Sequence, residues 1–213
     1  MTLRLQAFAL ALLLTALPMA GHAADGMLPV SQQVTLLLKV LTYNRTLMQR
    51  QTPELQLAVV YQPDRPDSRE SFEAFQAEFE KVADRTVRGH RVTLVPVPVR
   101  SAEHWSPPTT PVDIVYVAPV ADDLLPLLTA WTRERKIVSV TAIEGYVESG
   151  ISLALVMRRN RTGVTISAPA SALEGSRWSE EFLGLCRIVG QPAPGASSSD
   201  LPSPRAPSGA AGS

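Results

Sequence analysis

Residues 112–141 read VDIVYVAPVADDLLPLLTAWTRERKIVSVT, and this stretch decides the fold. It begins with an apolar run of strand length at 112–118 and ends with a shorter one at 137–141. Residues 121–135 between them have the composition of a helix, with two aspartates near its start and basic residues around its end. That order complements the helix dipole. This succession of strand, helix and strand is typical of a parallel sheet covered by helices.

The same alternation extends in both directions from this stretch. Towards the N-terminus the pattern predicts a helix over 29–49, a strand over 55–62, a helix that begins near Asp67 and a strand over 91–99. Towards the C-terminus it predicts a hairpin of strands 152–157 and 164–167, and a final helix that ends near residue 189. We therefore expect one α/β domain of three layers, with a mostly parallel sheet and a C-terminal antiparallel hairpin.

Two local signals refine this outline. Asp67, with Glu70 three residues later, forms a capping-box pattern and is expected to cap its helix. Pro96 and Pro98 cannot donate ladder hydrogen bonds, so strand 91–99 is expected at an edge of the sheet or leaving it early.

The two ends of the chain differ in composition from this domain. Arg4 precedes an apolar run, and Gly21 and Ala23 are the small residues of a cleavage site, so residues 1–23 are predicted to be a secretory signal peptide. Residues 191–213 are mainly Pro, Ala, Gly and Ser and are predicted to be a disordered tail. The folded domain is predicted over 28–189, outside the cytoplasm, and no later apolar run is long enough to span a membrane.

Charge and cysteine content narrow the function classes. The chain has 20 Lys and Arg and 20 Asp and Glu, so its formal net charge is zero and no nucleic-acid partner is expected. Cys186 is the only cysteine, which excludes an intramolecular disulfide. The exported domain must therefore rely on an ordinary hydrophobic core.

The sequence contains no catalytic or cofactor motif of the common kinds. It has no G-x-S-x-G, G-x-G-x-x-G, Walker or H-E-x-x-H pattern. His90 and His104 have no neighbouring His or Cys at metal-ligand spacing, and His22 lies in the predicted signal peptide. We therefore expect no metal, no cofactor, no catalytic residue and no enzymatic activity.

The predicted first helix is the most informative segment for function. It carries two apolar stripes, one of Val34, Leu37, Leu38 and Leu41 and another of Leu36, Val40, Tyr43 and Leu47. Two explanations remain open: the helix is buried within the domain, or one stripe packs on the domain and the other contacts another chain. In the second case, Lys39, Tyr43 and Arg45 are the expected partner-binding residues.

A second hypothesis concerns the carboxyl ends of the parallel strands, where open α/β sheets bind ligands. Tyr61, Asp64 and Arg65 lie at or just beyond the end of strand 55–62. Glu144 lies in the loop after strand 137–141. If the protein binds a small ligand, these four residues are expected to line the crevice that holds it.

Three stretches of the sequence resemble the YfiR family, whose domain also occurs in HmsC-like proteins. They are LLLKVLTYNR at 36–45, KIVSVTAIEGYVESGISLALV at 136–156 and VTISAPASALEGSRWSEEFLGLCRIV at 164–189. The resemblance implies a periplasmic protein whose single α/β domain is similar to one lobe of a solute-binding protein.

The resemblance also implies a function. It implies a non-enzymatic regulator that restrains an inner-membrane diguanylate cyclase by binding the cyclase's periplasmic sensory domain. A homodimer is also expected. Cyclic-di-GMP and biofilm formation would then depend on this regulator. A single-lobe small-ligand binder is the alternative. The redox-sensitive disulfides of the best-understood family member cannot form here, because Cys186 has no partner.

Overall fold

A computed structural model describes residues 27–158 and 160–190 of the chain. The predicted signal peptide, 1–23, and the predicted tail, 191–213, lie outside the described residues. Among the residues that are described, no helix is both long and apolar enough to cross a membrane.

The described residues form helices and strands in alternation. The helices are α1 Val30–Leu41, α2 Arg45–Met48, α3 Pro66–Lys81, α4 Leu124–Arg135, α5 Ala168–Leu173 and α6 Glu180–Leu183. The strands are β1 Glu54–Tyr61, β2 Thr86–Val87, β3 His90–Pro98, β4 Ile114–Val117, β5 Val138–Thr141, β6 Leu153–Arg158, β7 Arg161–Ser167 and β8 Arg187–Val189.

The eight strands form one sheet in the order β2-β3-β1-β4-β5-β6-β7-β8. The pairs β3–β1, β1–β4, β4–β5, β5–β6 and β7–β8 are parallel, whereas β2–β3 and β6–β7 are antiparallel. The mostly parallel α/β sheet and the C-terminal antiparallel hairpin are therefore confirmed. The chain moves from β1 to β3 on one side and then to β4 on the other, so the topological switch point lies between β1 and β4.

Helices cover both faces of the sheet, because alternate residues of each central strand point to opposite sides. In β4, Ile114 and Tyr116 pack with α1 and α3, while Val115 and Val117 pack with α4. All four positions are buried, and the Tyr116 hydroxyl donates to the buried Gln33, which explains why the parallel strands read as near-continuous hydrophobic runs. The result is the expected three-layer domain.

The first helix is mostly buried within its own domain. Leu37 and Leu41 are fully buried, and so are Val40 and Leu47 of the second stripe. Leu36 is half-buried and packs at the margin of the same core. Burial therefore accounts for most of the second stripe, and only its margin faces outward.

The predicted helix 29–49 is wrong in its continuity. Helix α1 ends at Leu41, and Asn44 then caps α2 by accepting hydrogen bonds from the backbone N–H groups of Thr46 and Leu47 at 3.0 and 3.1 Å. An Asn side chain competes with helical backbone bonding and favours such a break. Arg45 therefore begins a new helix.

Two further local predictions are wrong. Asp67 lies in the first turn of α3 and pairs with Arg65 rather than capping, since Arg65 occupies the cap position and Pro66 follows it. The final helix ends early: residues 187–189 form β8, parallel to β7. The β-branched residues Ile188 and Val189 extend the sheet there because β7 offers them a free edge.

The edge position predicted for strand 91–99 is confirmed, since β2 covers only the first residues of β3. The Val99 N–H bonds to the Tyr61 carbonyl on β1, so the backbone nitrogens of Pro96 and Pro98 face the open side. Neither proline has an N–H to offer there, which protects this edge against pairing with another strand.

Candidate functional site

The segment after α1 and the segment after α5 meet at the amino end of β1, and we call this contact the junction. Asn44 and Trp178 form an antiparallel bridge. The Arg45 N–H donates to the Arg177 carbonyl at 2.7 Å, and the Ser179 N–H donates to the Tyr43 carbonyl at 3.1 Å. Two of the three stretches that carry the family resemblance are thus held together by backbone hydrogen bonds.

Side chains reinforce the junction. The Thr46 hydroxyl donates to the Gly175 carbonyl at 2.9 Å. Tyr43 stacks on Phe182 with ring centroids 5.1 Å apart and 8° between the planes, and Phe182 in turn contacts the buried Trp178. The Trp178 indole N–H donates to Ser171 at 2.7 Å, so its polar end is satisfied.

A groove of about 430 Å³ opens at this junction, and we call it the junction groove. Its walls come from the residues around α2, from the turn between β2 and β3 and from the start of α6. The lining residues are Thr42, Tyr43, Arg45, Met48, Gln49, Arg88, Ser179 and Glu181.

The electrostatics of the junction groove are mixed. Arg45 and Glu181 are exposed. The Arg88 guanidinium donates to the Thr42 carbonyl at 2.9 Å, which fixes its position at the rim. Two cations and one anion around an aromatic wall suit a polar partner that also presents apolar surface.

The structure separates the three predicted partner-binding residues. Tyr43 and Arg45 both line the junction groove. Lys39 lies on the exposed face of α1 and lines a different, shallower depression beside Leu36 and Thr162.

The crevice at the switch point is filled by the protein's own side chains. Gln62 is buried, and its amide donates to the Arg100 carbonyl at 3.2 Å and accepts from the Ala121 N–H at 2.6 Å. The Tyr146 hydroxyl both accepts from the Val120 N–H at 2.9 Å and donates to the Val120 carbonyl at 2.8 Å. Burial raises the pKa of the Tyr146 hydroxyl above its ordinary value.

The four predicted ligand-binding residues do not converge in this crevice. Tyr61 stacks on Phe72 with ring centroids 4.0 Å apart, in the layer of α1 and α3. Asp64 is exposed. Glu144 forms ion pairs with Arg158 and, at 3.1 Å, with Arg187.

Arg65 stays at the switch point and pairs with Asp67 at 2.8 Å. The hydrogen bond from Arg65 lowers the pKa of the Asp67 carboxyl, and the same contact raises the pKa of Arg65. Both side chains are largely solvated, so the pair contributes little to stability.

Sequence reasoning missed Arg88, Gln62 and Tyr146. Arg88 and Gly89 have φ angles of 48° and 90°, and together they form the two-residue turn of the β2–β3 hairpin. The Arg-Gly pair was the available signal for that turn. Gln62 and Tyr146 gave no signal, because their partners at Arg100, Ala121 and Val120 are 26 to 59 residues away along the chain.

The environment of the single thiol, Cys186, makes it unreactive. Cys186 is half-buried, its Sγ lies 3.2 Å from the Phe182 carbonyl, and burial raises its pKa to about 11. A thiol with so little thiolate at neutral pH is a poor nucleophile. Within the ranges 27–158 and 160–190, no three His, Cys, Asp or Glu residues group as metal ligands.

The described residues define a single α/β domain whose mostly parallel sheet is covered by helices on both faces. It aligns with a conserved domain protein of Vibrio cholerae O1 biovar eltor at a TM-score of 0.52 and 16% identity, over 75% of this chain and 60% of that one. It also aligns with the ABC domain in complex with L-Trp from Streptococcus pneumoniae at a TM-score of 0.51 and 16% identity, over 76% of this chain and 60% of that one. Both likenesses concern the fold alone, and this chain spans 60% of each of those chains.

The chain belongs to the YfiR/HmsC-like family, whose model matches residues 33–187. That range includes both segments of the junction. Comparison with curated proteins found no match in sequence.

Proposed function

We propose that this protein is a periplasmic regulator that restrains an inner-membrane diguanylate cyclase by direct contact, without catalysis of its own. Membership of the YfiR/HmsC-like family carries the proposal. The signal peptide predicted at residues 1–23 supports the periplasmic location.

The junction groove is the proposed contact surface. It combines Tyr43, Arg45 and Met48, and Tyr, Arg and Met are residue types enriched at protein–protein interfaces. Tyr43 is held in place by its stack on Phe182 and Arg88 by its bond to Thr42, so little side-chain entropy is lost when a partner binds.

The mechanism follows from differential binding. The regulator binds the inactive conformation of the cyclase's periplasmic domain more tightly than the active one and so shifts the population towards it. A shift from 1% to 99% inactive needs roughly a 10⁴-fold difference in affinity between the two conformations.

The filled crevice favours this proposal over ligand binding at the switch point. A small ligand there would have to displace Tyr146 from both of its bonds to Val120, and Gln62 from its bond to Ala121. Each displaced bond leaves a backbone group without its partner, which costs free energy.

Charge reversal at Arg45 tests the contact surface. Arg45→Glu is expected to weaken binding to the purified periplasmic domain of the cyclase by at least about 30-fold, as for an interface hot spot. In cells that lack the native gene, the variant should fail to lower cyclic-di-GMP, whereas the wild-type protein lowers it. The melting temperature should stay unchanged, because the Arg45 side chain is exposed.

Arg69→Glu is the matched control. Arg69 lies in the first turns of α3, which follow the carboxyl end of β1, so it is at the opposite end of the strand from the junction. Its side chain is 47% exposed, lies 3.9 Å from Glu73 and donates one hydrogen bond to the Pro63 carbonyl at 3.2 Å. If both variants lower cyclic-di-GMP as well as the wild type does, the junction groove is not the contact surface. If the wild-type protein leaves the level unchanged, the regulatory function itself is refuted.

A further inference from the structure

A second groove, of about 490 Å³, opens at the amino ends of β4 and β5, and we call it the proline groove. The loop 107–112, of sequence PPTTPV, forms one wall. The prolines supply apolar surface, Trp131 and Ile137 border the groove with only 5% and 2% of their surface exposed, and Arg50 and Arg135 line the polar side. Its volume lies within the range of about 300–1,000 Å³ that is usual for small-molecule sites.

The walls of the proline groove are rigid. Three prolines fix the φ angles of the loop, so it loses little conformational freedom when a ligand binds. Trp131 is 5% exposed and is held from behind by Trp105, with ring centroids 5.5 Å apart in an edge-to-face arrangement. The groove is therefore preorganised.

Arg50 is positioned by a buried carboxylate. Asp113 forms an ion pair with the Nη1 end of the guanidinium, and its side chain is only 7% exposed. The other oxygen of Asp113 accepts from the Gln56 N–H on β1 at 2.8 Å, which ties the carboxylate to the sheet. A guanidinium has five N–H donors, so a pair at one end leaves donors for a ligand in the groove.

Arg135 supplies a second, freer cation. Its side chain is 67% exposed, and its contact with the neighbouring Glu134 is 3.9 Å long. Among the described residues that line the groove there is no acidic side chain. The positioned Arg50, the more mobile side chain of Arg135 and the apolar surface of the groove together suit an organic anion with an apolar group.

We infer that the proline groove binds a small organic carboxylate with an aromatic or branched apolar body. Arg50 is the fixed clamp for the carboxylate, and Arg135 closes on it from the solvent side. The apolar body lies against the prolines and the exposed margin of Trp131. This site is distinct from the junction groove, and binding there does not depend on a diguanylate cyclase.

The test is a titration of the full-length protein with phenylacetate, isovalerate and inorganic phosphate, followed by NMR of the Trp131 indole and the Arg50 guanidinium. Phenylacetate and isovalerate should shift both signals at concentrations below about 10 mM, a weak affinity of about 3 kcal/mol. Phosphate should bind at least tenfold more weakly than phenylacetate, because it has no apolar body.

The variant that tests the site is Arg135→Gln, since Arg135 is exposed and its loss leaves the Arg50–Asp113 pair intact. It should weaken phenylacetate binding at least tenfold at an unchanged melting temperature, whereas Arg69→Gln should change neither. No shift of Trp131 or Arg50 with any probe would overturn the inference. Equal affinity of Arg135→Gln and wild type would overturn it, and so would phosphate binding as tightly as phenylacetate.

Discussion

The two ends of the parallel strands differ in what covers them. At the carboxyl ends of β1 and β4, Gln62 and Tyr146 occupy the switch-point crevice and bond to backbone groups there. At the amino ends of the strands, the junction groove and the proline groove both remain open. The end of α2 and the residues directly after it separate them, since Met48 and Gln49 line the first and Arg50 lines the second.

This difference shows that the fold alone does not determine where a binding site lies. Open α/β sheets usually bind ligands at the carboxyl ends of their strands. Here one 3₁₀ turn, Glu144–Tyr146, brings a tyrosine over that end, and the exposed arginines of the two grooves lie at the other. Function has to be argued from the side chains present.

The largest expected effect is at the junction. Trp178→Ala removes a buried indole, its contact with Phe182 and its hydrogen bond to Ser171. The free energy of unfolding should fall by about 3–5 kcal/mol, as measured by urea denaturation. A fall of less than about 1 kcal/mol in the free energy of unfolding would mean that the junction does not stabilise the amino ends of the strands.

A pH-dependent effect should arise from Glu174, which is 1% exposed and also belongs to the amino end. Burial raises its pKa, although the Ser139 backbone N–H and hydroxyl, at 3.0 and 2.5 Å, partly offset this. A carboxyl whose folded pKa is raised stabilises the fold below its unfolded pKa, near 4.5, and this stability is lost as pH rises through the folded pKa.

The measurement is the free energy of unfolding between pH 4 and pH 8 for the wild type and for Glu174→Gln. The wild-type value should fall with rising pH relative to the variant, because Gln cannot ionise. Parallel pH curves for the two proteins would show that Glu174 is not the source.

The smallest effect is expected at the carboxyl end. Tyr146→Phe removes the hydroxyl that bonds both the N–H and the carbonyl of Val120. Because Tyr146 is only half-buried, water can replace part of these bonds, and the unfolding free energy should fall by about 1 kcal/mol. Under the proposed function, the variant should lower cyclic-di-GMP as much as the wild-type protein. Loss of regulation with the fold intact would instead place function at the crevice.

The sequence predicted the elements whose periodicity is strong. The apolar run at 112–118, the helix after it and the hairpin near the C-terminus all lie close to β4, α4 and β6–β7. The edge position of strand 91–99 followed from Pro96 and Pro98, because proline has no N–H to donate to a neighbouring strand. Tyr43 and Arg45 line one groove, whereas Lys39 lines another, and the partner-binding role of all three stays a prediction.

Predictions failed where long-range contacts override local preference. Asn44 ends the first helix partly because Trp178, far along the chain, pairs with it. Residues 187–189 become a strand because β7 is beside them. Arg50 is held in the proline groove by Asp113. The local sequence pattern predicts only that Asp113 lies in a strand.

By itself the sequence determined the central succession of strands and helices, the layered α/β class and the membership of a family, because hydrophobic periodicity and motif identity are local properties of the chain. Only the tertiary structure decided which end of the sheet is filled and which is open. That outcome depends on contacts such as Tyr146 with Val120, Thr46 with Gly175 and Arg50 with Asp113. These contacts join residues 26 or more positions apart, and a change of one side chain at either partner would alter them without any trace in the local pattern.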